Sequence, residues 1–245
     1  LIKLDRPQKP AYLTHAKVTE LTAKFKADGS SVWRKPEITD PLIKASHKKC
    51  AYCECKLQEK DSYMEVEHFR HKDKYNDDVV KWENLVPSCK RCNGKKGTHD
   101  VVIEPIVEPF NMDPSDHLYL QMVYFRDHDD VGKATIETLD LNNYKRMVLP
   151  RFYITGQIER NIFAIEQALE AYTNTPSVRR KNGLIRILTD TLLECQPNSE
   201  FAATAATFLH LNPSYATLCA AMKAGNLWDE ELEKLHQLSE AIRLV

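Results

Sequence analysis

Cys50-Ala51-Tyr52-Cys53 and Cys89-Lys90-Arg91-Cys92 decide the reading of this chain. Each is a CxxC knuckle, a spacing that lets two thiolates reach one ion from a tight turn. Two knuckles complete a closed tetrahedral site of four thiolates, the arrangement of structural zinc. Two pairs in basic surroundings argue against a redox role. Cys55, beside the first knuckle, reads as a partly buried free thiol, with competition for Cys53's ligand position as the alternative. Cys195 and Cys219 lie in helical patterns and read as core residues. Seven cysteines in a chain whose first residues lack the apolar stretch of a secretory signal argue against a disulfide framework and for a cytoplasmic location.

The segment between the knuckles carries the chemistry. Met64-Glu65-Val66-Glu67-His68 alternates apolar and polar like a short strand ending in an acid and a histidine. A polar loop runs to Trp82, which reads as core, with base stacking as the alternative. Asn84-Leu85-Val86-Pro87 suits a second strand, and Lys90 to Gly97 a short helix that starts inside the second knuckle. Residues 50–100 have few long apolar stretches, so burial alone does not hold them and a metal staple is needed. Phosphodiester hydrolysis needs a base for water, a cation for developing charge and a positioned phosphate. His68 suits the base, its unperturbed pKa lying near neutrality. Glu67 and Asn93 offer hard oxygen ligands that favour Mg²⁺ or Mn²⁺ over zinc.

Cys50-x-x-Cys53, Glu67-His68, Asn84-Leu85 and Cys89-x-x-Cys92-Asn93-x-x-Lys96 together resemble the HNH endonuclease motif and its ββα-metal fold. Cys50-Ala51-Tyr52-Cys53-Glu54, Val66-Glu67-His68-Phe69-Arg70, Trp82-Glu83-Asn84-Leu85 and Cys92-Asn93-x-x-Lys96-Gly97 are similar to the HNH nucleases attached to retrons and to the Septu anti-phage system. The likeness is strong over about residues 47–115 and reduces to layout beyond. It implies that His68 is the base, that Glu67 and Asn93 hold the catalytic ion, and that Asn84 braces the loop and orients His68. It also implies phosphate contact by Lys96. Arg91, Lys72, Lys74 and Lys95 surround the same site and suit phosphate neutralisation, with an ordinary solvated face as the alternative. Where many HNH motifs place proline, three residues after the histidine, this chain has His71, read as a phosphate contact, a further metal ligand or a solvated loop residue. His99, just past a helix end, reads as a capping or surface group, with approach to the metal as the alternative.

Outside this module the chain turns helical. Residues 12–28 form an amphipathic helix ending at Gly29, and Pro36 to Ser46 a shorter one weakened by Pro41. A proline-punctuated connector spans Pro105, Pro109 and Pro114. Leu118 to Phe125 reads as one strand followed by a turn at Asp127 to Asp130. Beyond about residue 144, Ile158, Ile162, Ile165 and Leu169, then Leu184, Leu188 and Leu192, then Leu232, Leu235, Leu238 and Ile242 mark four or five helices, broken at Pro176, Pro197 and Asn212-Pro213. The expected fold is α+β: N-terminal helices with a ββα-metal module over residues 1–115, and a mainly helical region over 116–245.

The net charge of −1 hides a split. Residues 1–100 carry 21 Lys+Arg against 15 Asp+Glu, and residues 101–245 carry 13 against 20. No Gly-rich phosphate loop and no apolar run long enough for a membrane span occurs in the sequence. A basic half suits a polyanion. The acidic half reads as a scaffold or as a docking platform. The resemblance implies an ABC/SMC-type ATPase partner, with a reverse transcriptase and its RNA–DNA product in retron versions. DNA is the expected substrate. The alternatives are structured RNA such as tRNA, or a non-catalytic zinc-knuckle protein that binds nucleic acid or a partner.

Overall fold

A computed structural model describes residues 1–57 and 63–245. Two compact units emerge: Leu1–Leu118 with Arg126–Leu141, and Tyr119–Phe125 with Asn142–Val245.

The first unit opens with α1 (His15–Asp28), started by the Thr14 side chain accepting from the Lys17 N–H. It ends at Gly29, whose φ of 71° is the left-handed conformation that glycine adopts without penalty. Helix α2 (Pro36–Ala45) tolerates Pro41 because only the Glu37 carbonyl, one residue into the helix, loses its partner. Strands β1 (Met64–His68) and β2 (Leu85–Cys89) pair antiparallel, with Glu67 opposite Val86 and His68 opposite Leu85. Pro87 has no N–H, so it stands opposite Val66 with its polar edge outward, and there its carbonyl accepts from the Ala51 N–H at 3.0 Å. That bond fastens the first knuckle to the sheet. Helix α3 (Lys90–Lys96) begins directly where β2 ends, with Cys89 as its N-cap. Leu13, Leu21, Trp33, Leu42, Val79 and Leu85 belong to the core beneath this sheet.

The single strand expected over 118–125 is instead a hairpin, β3 (Leu118–Gln121) and β4 (Tyr124–Asp127). Met122 takes φ 58°, which reverses the chain where a continuous strand would need extended backbone. The turn expected over Asp127 to Asp130 falls at 128–129, between β4 and α4 (Asp130–Leu139), whose N-cap is Asp129.

In the second unit a π-helical turn (Tyr144–Val148) feeds α5 (Leu149–Asn174). Then come α6 (Val178–Glu194), α7 (Ala202–Leu211), α8 (Pro213–Ala224) and α9 (Glu230–Glu240). Asn212 caps α8 and Pro213 occupies its first turn, where a missing N–H costs nothing. Ile158, Ile162, Leu188, Leu192, Leu209 and Leu232 are among the core residues of this bundle. Among the described residues, no helix is long and apolar enough to cross a membrane.

Candidate active site and zinc centre

The four knuckle cysteines converge. The sulfurs of Cys50, Cys53, Cys89 and Cys92 lie within 4.8 Å of one another and all four residues are buried. The Cys92 N–H points at Cys89 Sγ at 3.4 Å, so the start of α3 presents a donor to the thiolate. Four soft sulfur donors in a closed, buried cluster fit zinc and offer no open position for substrate. Cys55 Sγ lies 3.3 Å from Cys53 Sγ in a partly buried position.

The four-cysteine cluster joins the far end of β1–β2 to the start of α3, and so sets which side chains meet. Glu65 and Glu67, two apart on β1, share a face. Asn93 of α3 donates to Glu65 Oε2 at 2.6 Å, and Lys96 Nζ sits 2.6 Å from Glu67 Oε1. Lys96 also donates to the His68 carbonyl at 3.0 Å. Burial pushes the Glu67 carboxyl up to about 7, while Lys96 pulls it toward its charged form.

His68, the next residue, ends β1. Its ring packs edge-on against Trp33 at 4.5 Å, and Nε2 lies 2.9 Å from the Val79 carbonyl. A carbonyl only accepts, so Nε2 carries the proton and Nδ1 the lone pair. Burial holds its pKa down at about 4, opposed by the bond to Val79, so the imidazole is neutral at neutral pH. Asn84 spans the intervening loop. Its Oδ1 accepts from the Arg70 N–H at 2.7 Å, and its amide donates to the carbonyls of Arg70 and Asp78, both at 3.1 Å. Asp78 adjoins Val79, so the Asn84 amide also steadies the carbonyl that holds His68.

The surrounding cations are placed unevenly. Lys96, expected at phosphate, is 2% exposed, its charge directed inward at Glu67. Arg91 donates to the carbonyls of Leu139 and Asp140 and to the Asp140 carboxylate, and Lys95 lies 3.1 Å from that carboxylate. Both therefore serve the C-terminus of α4, where positive charge is favoured. Lys72 remains partly exposed, 3.6 Å from Asp73. The His71 ring meets Tyr75 edge-on at 5.6 Å, and its Nδ1 is buried with no hydrogen-bond partner among the described residues. His99 Nε2 lies 2.8 Å from the Glu104 carbonyl. Trp82 is buried and donates to the Pro7 carbonyl at 2.9 Å. Glu65, Trp33 and the Val79 carbonyl were not singled out from sequence. Of these only Glu65 leaves a signal, its position two residues before Glu67 in an alternating strand.

Residues 50–99 match the family described as HNH endonuclease. A Septu protein PtuB of Bacillus thuringiensis is 42% identical over 99% of this chain and 94% of its own length. A second Septu protein PtuB, from Bacillus mycoides (strain KBAB4), is 25% identical over 58% of this chain and 63% of its own. No solved structure matches. The nuclease motif sits on the β1–β2–α3 unit with its four-cysteine cluster and the relationship runs nearly end to end: the chain is an HNH endonuclease and belongs to the Septu PtuB family.

Proposed function

We propose that this chain is the nucleic-acid-cleaving effector of a Septu-type antiviral defence complex, hydrolysing phosphodiester bonds with His68 as the general base. The observation that carries the reading is the 2.9 Å contact of His68 Nε2 with the Val79 carbonyl, which assigns the proton to Nε2 and leaves the Nδ1 lone pair to accept. In this reading Nδ1 takes a proton from the attacking water. Asn84 fixes the loop that fixes His68, a positioning role exerted through the backbone.

Glu65, Glu67 and Asn93 form an oxygen-only donor set on one face of β1 and α3. Asn93 spends its N–H on Glu65, leaving its own amide oxygen for another ligand, while the Glu67 carboxylate is held in the same face by Lys96, 2.6 Å from its Oε1. Such a set fits Mg²⁺ or Mn²⁺. The ion, when bound, supplies Lewis-acid charge at the scissile phosphate and the departing 3′ oxygen. Lys96 keeps Glu67 toward its ionised, ligating form.

The substrate proposed is DNA. An ABC/SMC-type ATPase is the proposed partner of the helical unit, and a reverse transcriptase with its RNA–DNA product joins in a retron setting. The proposed location is cytoplasmic. The test is to purify the chain with the proteins that co-purify from its native host and to offer duplex DNA, single-stranded DNA and total RNA with Mg²⁺. Cleavage of DNA supports the reading. Cleavage of RNA alone overturns the substrate, and no cleavage of any of the three overturns the effector role.

A further inference from the structure

His210, His236 and Glu240 bring two imidazoles and a carboxylate together in the helical unit, outside the nuclease module. His210 is the penultimate residue of α7, and His236 and Glu240 lie one turn apart on the same face of α9. Their donor atoms all lie within 4.8 Å of one another. The two rings are 4.7 Å apart between centroids, and His236 Nε2 is 3.9 Å from Glu240 Oε2.

Each ring is oriented from behind by a hydroxyl. Tyr215 Oη lies 2.7 Å from His236 Nδ1, and Ser239 Oγ lies 2.8 Å from His210 Nε2. Ser239 Oγ donates its one proton to the His236 carbonyl at 2.9 Å. It must therefore accept from His210 Nε2–H, which puts the His210 lone pair on Nδ1. The second nitrogen of each imidazole, His210 Nδ1 and His236 Nε2, is left without a close hydrogen bond of its own. A ring with one nitrogen tied by a hydrogen bond and the other bare is how proteins prepare a histidine ligand.

We infer that His210, His236 and Glu240 form a second metal site, for a divalent zinc ion with water in the fourth position. Two imidazoles exclude Mg²⁺ and Ca²⁺ as preferred occupants, and a single carboxylate with no thiolate suits Zn²⁺ in a three-ligand set. Ligands at about 2.0–2.2 Å from one ion sit roughly 3.4 Å apart in a tetrahedron, so donor atoms within 4.8 Å of one another need to close by at most about 1.4 Å. Glu240, with 45% of its side chain exposed and its Oε1 3.2 Å from Arg243, marks the side from which the ion and the water would enter. The ion joins the end of α7 to the end of α9, and so clamps the last helix to the bundle. None of the three ligands belongs to the nuclease motif, so the site stands or falls independently of catalysis there.

The test uses the full chain, treated with a chelator mild enough to strip a nitrogen–oxygen site and leave the four-thiolate zinc in place. Titration with Zn²⁺, followed by calorimetry, should show one further equivalent per chain. Co²⁺ in its place should add visible ligand-field absorption with no new sulfur charge-transfer band. His236→Ala should lose that equivalent. Glu240→Gln, an exposed and conservative change that spares the fold, should weaken it at least about tenfold, and the thiolate-bound zinc should stay constant in both. Absence of a second equivalent in the unsubstituted chain, or binding unchanged in Glu240→Gln, would overturn the site and leave the cluster a hydrogen-bonded hub only.

Discussion

The side-chain amide of Asn84 makes three hydrogen bonds at 5% exposure, so nearly every polar valence it has is used inside the protein. Asn84→Ala leaves an N–H and two carbonyls of the 70–78 loop without that partner. The expected loss is about 1–3 kcal/mol, read by denaturant titration, with cleavage reduced because the Val79 carbonyl no longer holds His68 in place. Glu65→Gln should act on the chemistry and spare the fold. It keeps a hydrogen-bonding group toward Asn93 but removes a carboxylate from the oxygen set. Stability should hold within about 0.5 kcal/mol while the Mg²⁺ concentration needed for half-maximal cleavage rises. Residue types and spacing make the cysteines, Glu67-His68, Asn84 and Asn93 legible in the sequence alone. Lys96 is legible as part of the motif but not as a buried partner of Glu67, because burial depends on how α3 lies across β1. His210, His236 and Glu240 come from two helices brought together by folding, and nothing in their spacing connects His210 to the other two.

At the scale of elements, the four-cysteine cluster and the β1–β2–α3 unit are inseparable. Cys89 is at once the end of β2, the N-cap of α3 and one of the four clustered thiols that fit zinc, so Cys89→Ala removes all three at once. The expected cost approaches the folding contribution of a structural zinc, on the order of 10 kcal/mol, and metal analysis should show the four-thiolate zinc gone along with solubility. Helix α4 gives a sharper test of packing. A Cβ at Gly132 would stand 2.0 Å from the His117 carbonyl oxygen, a backbone atom that cannot swing aside. Gly132→Ala should therefore destabilise the protein by at least about 1–3 kcal/mol, measured as a fall in Tm, although alanine is the better helix former. The helices are legible from their caps and periodicity: Gly29, Asn212-Pro213 and the Ile158–Leu169 face all behave as read. The β3–β4 hairpin is not, because its turn depends on a left-handed Met122, and methionine carries no turn signal.

For the whole molecule, the two units have separate cores. Ile158, Leu188 and Leu232 serve one, while Leu21, Leu42 and Val79 serve the other. Leu188→Ala should thus cost about 2–5 kcal/mol of the helical unit's stability and leave the four-thiolate zinc content unchanged. The same division gives the charge asymmetry a physical setting: the net +6 of residues 1–100 belongs to the unit that carries the nuclease motif. The proposed catalysis nonetheless rests on one imidazole. The direct measurement is Mg²⁺-dependent cleavage by the unsubstituted chain and by His68→Ala, each with its co-purifying proteins, with zinc content determined on the same samples. The expected result is equal zinc and cleavage lost in His68→Ala. Equal zinc with undiminished cleavage would contradict the account.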